Sequence, residues 1–536
     1  MRYFGLGAVA LGALLAATPA MARDGDGRRQ VSISPYIELS QVAVADLQND
    51  DVLTYTSAAA GVDASIQTRR VKVNANVRYE HQFAWDKRTG DADVVSGLAN
   101  AQVRVARGLT LDGGGIATRT RSGLGGPLFN DYERRDVSNL YSAYVGPTLN
   151  TGSGPIFLNA GYRFAYTKLT LPNYGFTAVG PARQDYFDDS KYQTATVSTG
   201  FKSGVIAPFG ATLSAGWTRD DQSQLSSRFD GLYGRGDLVL PLSGTFAVEG
   251  GAGYEKITSS SKDPLLDANG NAVVDSHGRY VTDPASPRRI AYRTDGIYWD
   301  AGVAWRPSPR TSLWAHVGRR YGSWSYTGAL SYAPSRSVGV QVSVYDTVET
   351  FGGQLQRGLR GLPTEFTTTR DLLAQQFSGC TFGTTGGGAS GACLNSVFQA
   401  VSSATYRARG VDGTITASRG ASTIGFGAGY STRRTYAANT PGITVYGVTD
   451  ESYYAQLFYS APIGGRTTFN ADVFANYYDP GFGTVSGVYS LGATGSLSRS
   501  FGRLGTTASL GIYNISAKGQ QDETSAQAQV SAQYRF

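Results

Sequence analysis

The sequence predicts an all-β chain, a transmembrane antiparallel up-and-down β-barrel of about 22 strands, with 20 to 24 compatible with the pattern. Three observations predict it. The chain opens on an export signal, long segments alternate between apolar and polar residues, and the last such segment ends on phenylalanine.

The first element is the leader. Arg2 precedes an apolar stretch from Gly5 to Ala17, and Ala20-Met21-Ala22 stands just before charged Arg23. This pattern reads as a secretory signal peptide over residues 1–22, cleaved after Ala22. Its apolar run is shorter than the ~20 residues a membrane helix needs. No later stretch is long and apolar enough to be such a helix, so an exported chain of this kind is either a soluble exported fold or a barrel. Sixty-nine glycines, 33 tyrosines, 17% charged residues and two methionines favour many strands with interfacial aromatics. A mean hydropathy of -0.22 is no objection, because a barrel apolar on every second residue averages out as polar.

The strands come next. Val71, Val73, Ala75, Val77, Tyr79, Phe83 and Trp85 alternate with Lys72, Asn74, Asn76, Arg78, Glu80 and Gln82. That two-residue period marks a strand with different solvents on its faces. It returns in Ile156 to Tyr166, Phe209 to Trp217 and Phe469 to Tyr477. The final run is Ala526, Ala528, Val530, Ala532, Tyr534, Phe536, where Tyr534 and Phe536 form the expected barrel-assembly signal. Many runs alternate for about ten residues, as a tilted membrane strand requires and a sandwich strand does not.

Brief turns such as Gln67 to Arg70, Arg107-Gly108, Thr151 to Gly154, Pro241 to Gly244, Pro307 to Arg310 and Phe501 to Arg503 interleave with longer polar loops. An even count from Val31 to Phe536 puts both chain ends in the periplasm, with a short periplasmic segment over 23–30 and the barrel over 31–536. The three longest outer loops are expected near 168–190, 259–289 and 352–402. So few residues precede the first strand that no N-terminal plug domain is expected, and a cylinder this wide stands open unless loops fold inward. Cys380 and Cys393, close together in an exported chain, suggest one local disulfide in the third loop. That loop is expected to narrow the mouth or lumen.

In this register Trp85, Tyr166, Trp217, Tyr254 and Tyr477 end ascending strands on the apolar face, where an aromatic girdle meets the headgroups. The opposite face turns Arg78, Glu80, Arg104, Arg163, Glu249, Glu255, Asp300, His316, Arg320 and Asp472 toward the lumen, hydrated and tuning selectivity. Catalysis has little support. His81, His277 and His316 are the only histidines, and no serine occupies a G-x-S-x-G elbow, so no enzyme activity, catalytic residue or cofactor is expected. Asp267-Ala268-Asn269-Gly270-Asn271, followed by Asp275 and His277, imitates a calcium loop, but its glycine is at the fourth place instead of the sixth and no glutamate closes it. An Asn/Gly turn is the better reading, and no metal site is assigned. A net charge of +7 is spread without a basic block, which excludes a nucleic-acid footprint. The expected partners are outer-membrane lipid and lipopolysaccharide of a Gram-negative cell and its barrel-assembly machinery.

Around the centre, Trp299-Asp300-Ala301-Gly302-Val303-Ala304-Trp305-Arg306 leads into Pro307-Ser308-Pro309-Arg310-Thr311-Ser312-Leu313, then Val317-Gly318-Arg319-Arg320-Tyr321-Gly322 and a Ser335-Arg336-Ser337 turn. This stretch, Thr294 to Val348, resembles the outer-membrane barrels found beside exosortase (PEP-CTERM) and exopolysaccharide loci. The resemblance implies a role in surface polysaccharide assembly or export, or in surface protein sorting, with surface polysaccharide as a partner. Residue patterns alone leave two other functions open: a porin for small solutes, general or selective, and an adhesin or receptor built on the outer loops.

Overall fold

A computed structural model describes residues 30–48, 51–85, 91–121, 137–170, 187–275, 279–335, 337–362, 366–368, 380–383, 391–398, 401–441, 448–481, 487–517 and 522–536. The signal peptide, the segment up to residue 29, His277 and Arg336 lie outside them.

Fifteen strands come first: β1 (Gln30–Asp46), β2 (Asp51–Gln67), β3 (Val71–Ala84), β4 (Ala92–Ala106), β5 (Leu109–Arg121), β6 (Val137–Ser153), β7 (Ile156–Thr170), β8 (Asp189–Phe201), β9 (Gly210–Gln222), β10 (Arg228–Pro241), β11 (Phe246–Ser261), β12 (Arg289–Ser308), β13 (Thr311–Arg320), β14 (Ser323–Ser335) and β15 (Val338–Glu349). An insert then carries helix α1 (Phe351–Gly361), short strands β16 (Phe366–Thr368), β17 (Cys380–Gly383) and β18 (Gly391–Cys393), and one helical turn, α2 (Asn395–Phe398). The wall resumes with β19 (Thr405–Arg419), β20 (Ser422–Tyr436), β21 (Thr449–Pro462), β22 (Thr467–Asp479), β23 (Val488–Phe501), β24 (Leu504–Ala517) and β25 (Glu523–Arg535).

Every wall strand pairs antiparallel with its neighbours, β15 passing to β19 across the insert. β25 returns to β1, from Tyr36 opposite Arg535 to Asp46 opposite Ser525, which closes a 22-stranded barrel and removes the free edges that would invite aggregation. The Phe536 amide donates to the Pro35 carbonyl at 3.0 Å, so the terminal residue belongs to the seam.

The alternation decides which side each residue takes. On β3, Arg78, Glu80 and Gln82 are buried, whereas Val77, Tyr79 and Phe83 are 42% to 47% exposed. The same outward apolar set recurs in Ile156, Leu158 and Phe164 on β7, Ile297, Trp299 and Trp305 on β12, and Leu510 and Ile512 on β24. A continuous face both apolar and exposed belongs in hydrocarbon, so this is a membrane-spanning barrel of the outer-membrane architecture.

The end of the barrel that holds the start of β1 and the end of β25 has the short connections, for example residues 68–70, 107–108 and 502–503; the opposite end has long ones, 262–288 and 350–404. One expected turn is narrower than its sequence suggests. Thr151, Gly152 and Ser153 stay in the ladder opposite Leu158, Phe157 and Ile156, which leaves only Gly154 and Pro155 to reverse the chain. The hairpin β13–β14 is an exception at the long-loop end, turning at once through Tyr321 and Gly322 with φ of 55° and 76°. At about 3.3 Å per residue, β13 is just long enough to cross when tilted. Above this low hairpin the wall overlaps itself. Ser259 of β11 bonds Thr405 of β19 at 2.7 Å, and the rings of Tyr292 on β12 and Tyr436 on β20 lie 4.4 Å apart, although four strands separate each pair around the ring. Phe229, Ile257 and Val348 seal the overlap with apolar contact.

Candidate functional site: the bridged lumen

The site begins where β15 ends. Thr350 caps α1, its hydroxyl oxygen accepting from the Gly353 amide at 3.3 Å while its proton goes to Asp220 on the wall. Phe351, Leu355 and Leu359 recur every four residues, so they form one helical stripe. All three are fully buried against Leu98 of β4, Ile116 of β5, Leu140 and Tyr144 of β6, and Ala165 and Leu169 of β7, with Leu394, Val397 and Phe398 completing the cluster. An isolated helix of this length would not hold in water. Burying three such side chains contributes about 6 kcal/mol before the ordering entropy is subtracted. Among the described residues, the largest apolar core therefore lies inside the cylinder, between wall and loop.

The insert is fastened at a second place. Cys380 and Cys393 are disulfide-bonded and stand opposite each other in the β17–β18 pair. Their bridge packs on Tyr454 and Phe458 of β21 and over Gly427 of β20, where an added Cβ would sit 2.5 Å from the Cys380 sulfur. The Cys380 amide donates to Gln456 Oε1 at 2.7 Å, and Gln456 donates in turn to Asp472 at 2.7 Å. In the strand order, β4–β7 and β20–β22 lie on opposite sides of the ring. The insert thus bridges the lumen from wall to wall.

A third sector of the inner wall, β10 to β13, carries charge. Arg235 grips both oxygens of Asp300 at 2.5 and 2.9 Å and reaches Asp237 at 2.6 Å. His316 Nδ1 lies 2.8 Å from Asp300 and its Nε2 lies 3.0 Å from Glu249. Glu255 pairs with Arg320 at 2.8 Å, and Tyr298 lies under both Arg235 and Arg320. Elsewhere on the wall Arg78 joins Glu38 and Glu80, each at 2.9 Å, Arg163 joins Asp112 at 2.9 Å, and Arg104 is exposed near the end with the short connections. All ten charged positions named from the sequence share the inward parity. Four differ from expectation in their hydration: Arg78, Glu80, Arg163 and Glu255 are buried, because side chains converge inside a curved wall and partners replace water.

On the outer face Trp85, Tyr166 and Tyr254 are exposed, and Trp217 and Tyr477 are half-buried. Tyr477 belongs to a row that sequence reading missed. Tyr430, Tyr453, Tyr477 and Tyr489 run across four strands with rings 4.7, 6.1 and 4.5 Å apart. In the outer loop, Asp267 accepts from the amides of Asn269 and Asn271 at 2.9 and 2.8 Å with Gly270 at φ 82°, a tight Asx-type turn. Those donors hold its carboxyl below the usual carboxylate range.

Sequence reading also missed Arg235, Asp237 and Tyr298, and the apolar inner patch under α1. The patch had a signal: Leu98, Leu140 and Leu169 break the alternation by placing large apolar groups on the parity that is polar elsewhere.

No protein family's sequence pattern matches the chain, and no curated protein does. Solved structures similar to it include the ferric-catecholate import receptor Fiu from E. coli K12 in its closed form, at 10% identity over 94% of this chain and 81% of that one, TM-score 0.43. The alcaligin outer-membrane receptor FauA from Bordetella pertussis is similar at 12% identity over 93% and 76%, TM-score 0.38. The copper transporter OprC is similar at 9% over 96% and 82%, TM-score 0.39. Superpositions this loose say nothing about what this barrel carries.

Proposed function

We propose that this chain is a selective outer-membrane channel that takes part in the assembly or export of surface polysaccharide, or in exosortase-linked surface sorting, and that it is not an enzyme. The observation that carries the channel reading is the internal bridge. A bare cylinder of 22 strands would pass solutes without discrimination, whereas a bridge fixed to opposite walls leaves a narrowed passage beside the charged sector of β10–β13. The polysaccharide role is supported by the resemblance of Thr294 to Val348 to barrels of exopolysaccharide loci. The same narrowed passage also favours a second reading, a selective porin for small solutes.

Deleting the gene and measuring surface polysaccharide separates the two, alongside planar-bilayer conductance of the purified barrel with and without glycan. Free conduction, indifference to glycan and an unchanged polysaccharide coat together would end the first reading. Lipase and deacylase assays test the non-enzymatic part: sustained turnover that His277→Ala abolishes would reverse it.

A further inference from the structure

The low hairpin β13–β14 presents one large aromatic residue to the lumen. Trp314 shares the parity of His316 and Arg320, whose partners Asp300, Glu249 and Glu255 are on the inner wall, while its chain neighbours Leu313 and Ala315 take the outward side with Trp305 and Val303. Its indole is 40% exposed. The reason is local: the residues directly opposite on both adjacent strands are alanines, Ala304 on β12 and Ala329 on β14, too small to cover a ring of that size. The His316 ring meets it edge to face, with centroids 5.7 Å apart.

An aromatic face left to water is a cost unless something covers it. What lies beside it narrows the chemistry of that cover. His316, Asp300 and Glu249 continue directly from the indole, joined by Arg235, and each of the four keeps a side-chain exposure of 17% to 25%. Glycines hollow the wall beneath them. An added Cβ at Gly302 would lie 2.7 Å from His316 Cγ, and one at Gly318 would lie 2.5 Å from Asp300 Cβ. The sector therefore offers an apolar plate next to a recessed row of fixed donors and acceptors, the combination that matches a pyranose ring with one face of C–H groups and a rim of hydroxyls. Its charge argues for a neutral sugar over an acidic one, because Asp237, Asp300 and Glu249 outnumber the single guanidinium of Arg235 even when His316 is counted as a cation.

We infer that Trp314, with Asp300, Glu249 and His316 beside it, forms a saccharide subsite on the inner wall, taking uncharged hexose units as they pass. The inference deepens the polysaccharide reading and rests on it for the source of the sugar.

The experiment uses the full-length barrel purified into planar bilayers, with maltohexaose as the neutral probe and a hexamer of galacturonic acid as the acidic one. Maltohexaose is expected to interrupt the wild-type current in a concentration-dependent way, with the acidic hexamer at least about tenfold weaker. Trp314→Ala should raise the half-blocking concentration about tenfold or more relative to its own open-channel current, and Trp314→Phe, which keeps an aromatic face, should stay within about threefold of wild type. The assignment is overturned by a wild-type current that maltohexaose leaves untouched at about 10 mM, by equal blockade from both hexamers, or by Trp314→Ala blocking like wild type. Polysaccharide assayed in the deletion strain keeps the two claims apart. Loss of the coat with no Trp314-dependent blockade sinks the subsite alone; Trp314-dependent blockade with an intact coat sinks the polysaccharide role and leaves the subsite.

Discussion

The inner walls of β4–β7 and of β10–β13 follow one alternation and face one lumen, yet the first carries an apolar, covered patch while the second is charged and partly open. Parity settles only whether a side chain points in or out. What an inward residue must be depends on what lies against it, and across the lumen α1 lies against one sector and not the other.

The largest expected effect breaks this contrast at the covered wall. Leu355→Asp puts an unpaired carboxylate among Leu140, Leu169 and Phe187, a loss of several kcal/mol that the insert can escape by leaving the wall. Single-channel conductance should rise while the barrel's heat-modifiable gel shift persists; unchanged conductance would mean that α1 does not narrow the passage. Second, replacing both cysteines with serine releases a closed loop with a sequence separation of 13, about 3 kcal/mol of restraint on the insert by chain-entropy reckoning. Current noise should grow at the same mean conductance and barrel melting should not change. A lower barrel melting temperature would show that the disulfide braces the wall itself.

A smaller effect is expected from Gly427→Val, which thrusts a branched side chain at the disulfide sulfurs and should cost the docked insert about 1 to 3 kcal/mol, read as faster thiol reduction of Cys380–Cys393. The open sector gives the smallest change in stability. Asp300→Asn removes the shared carboxylate of Arg235 and His316, at about 1 kcal/mol because the cluster keeps some water. Its clear readout is charge selectivity: reversal potentials in a salt gradient should move toward anions. No movement would place the conducting path away from β10–β13.

Much of this was legible in the residues. The run Val71 to Trp85 specifies its own two faces, since one side is nearly all apolar and the other mostly polar, and the returning final strand with Phe536 specifies closure. The candidates His316, Asp300 and Glu249 could be placed on the lumen side by parity but not joined, since Glu249 and His316 are 67 residues apart and meet only because β11, β12 and β13 are neighbours in register. Arg235 stayed invisible for a related reason: its strand carries many glycines and a weak alternation, so nothing nearby marked it as the partner of Asp300.

The sequence by itself determined strand, face and closure, because a period of two is a local property and the solvent on each side of a ribbon selects it. The route of the insert across the lumen, the overlap of the wall above β13–β14 and the meeting of Asp300 with His316 were decided only by the tertiary structure. Those contacts join residues far apart along the chain, and their free energy exists only once the ring has closed and brought the facing walls within reach of each other.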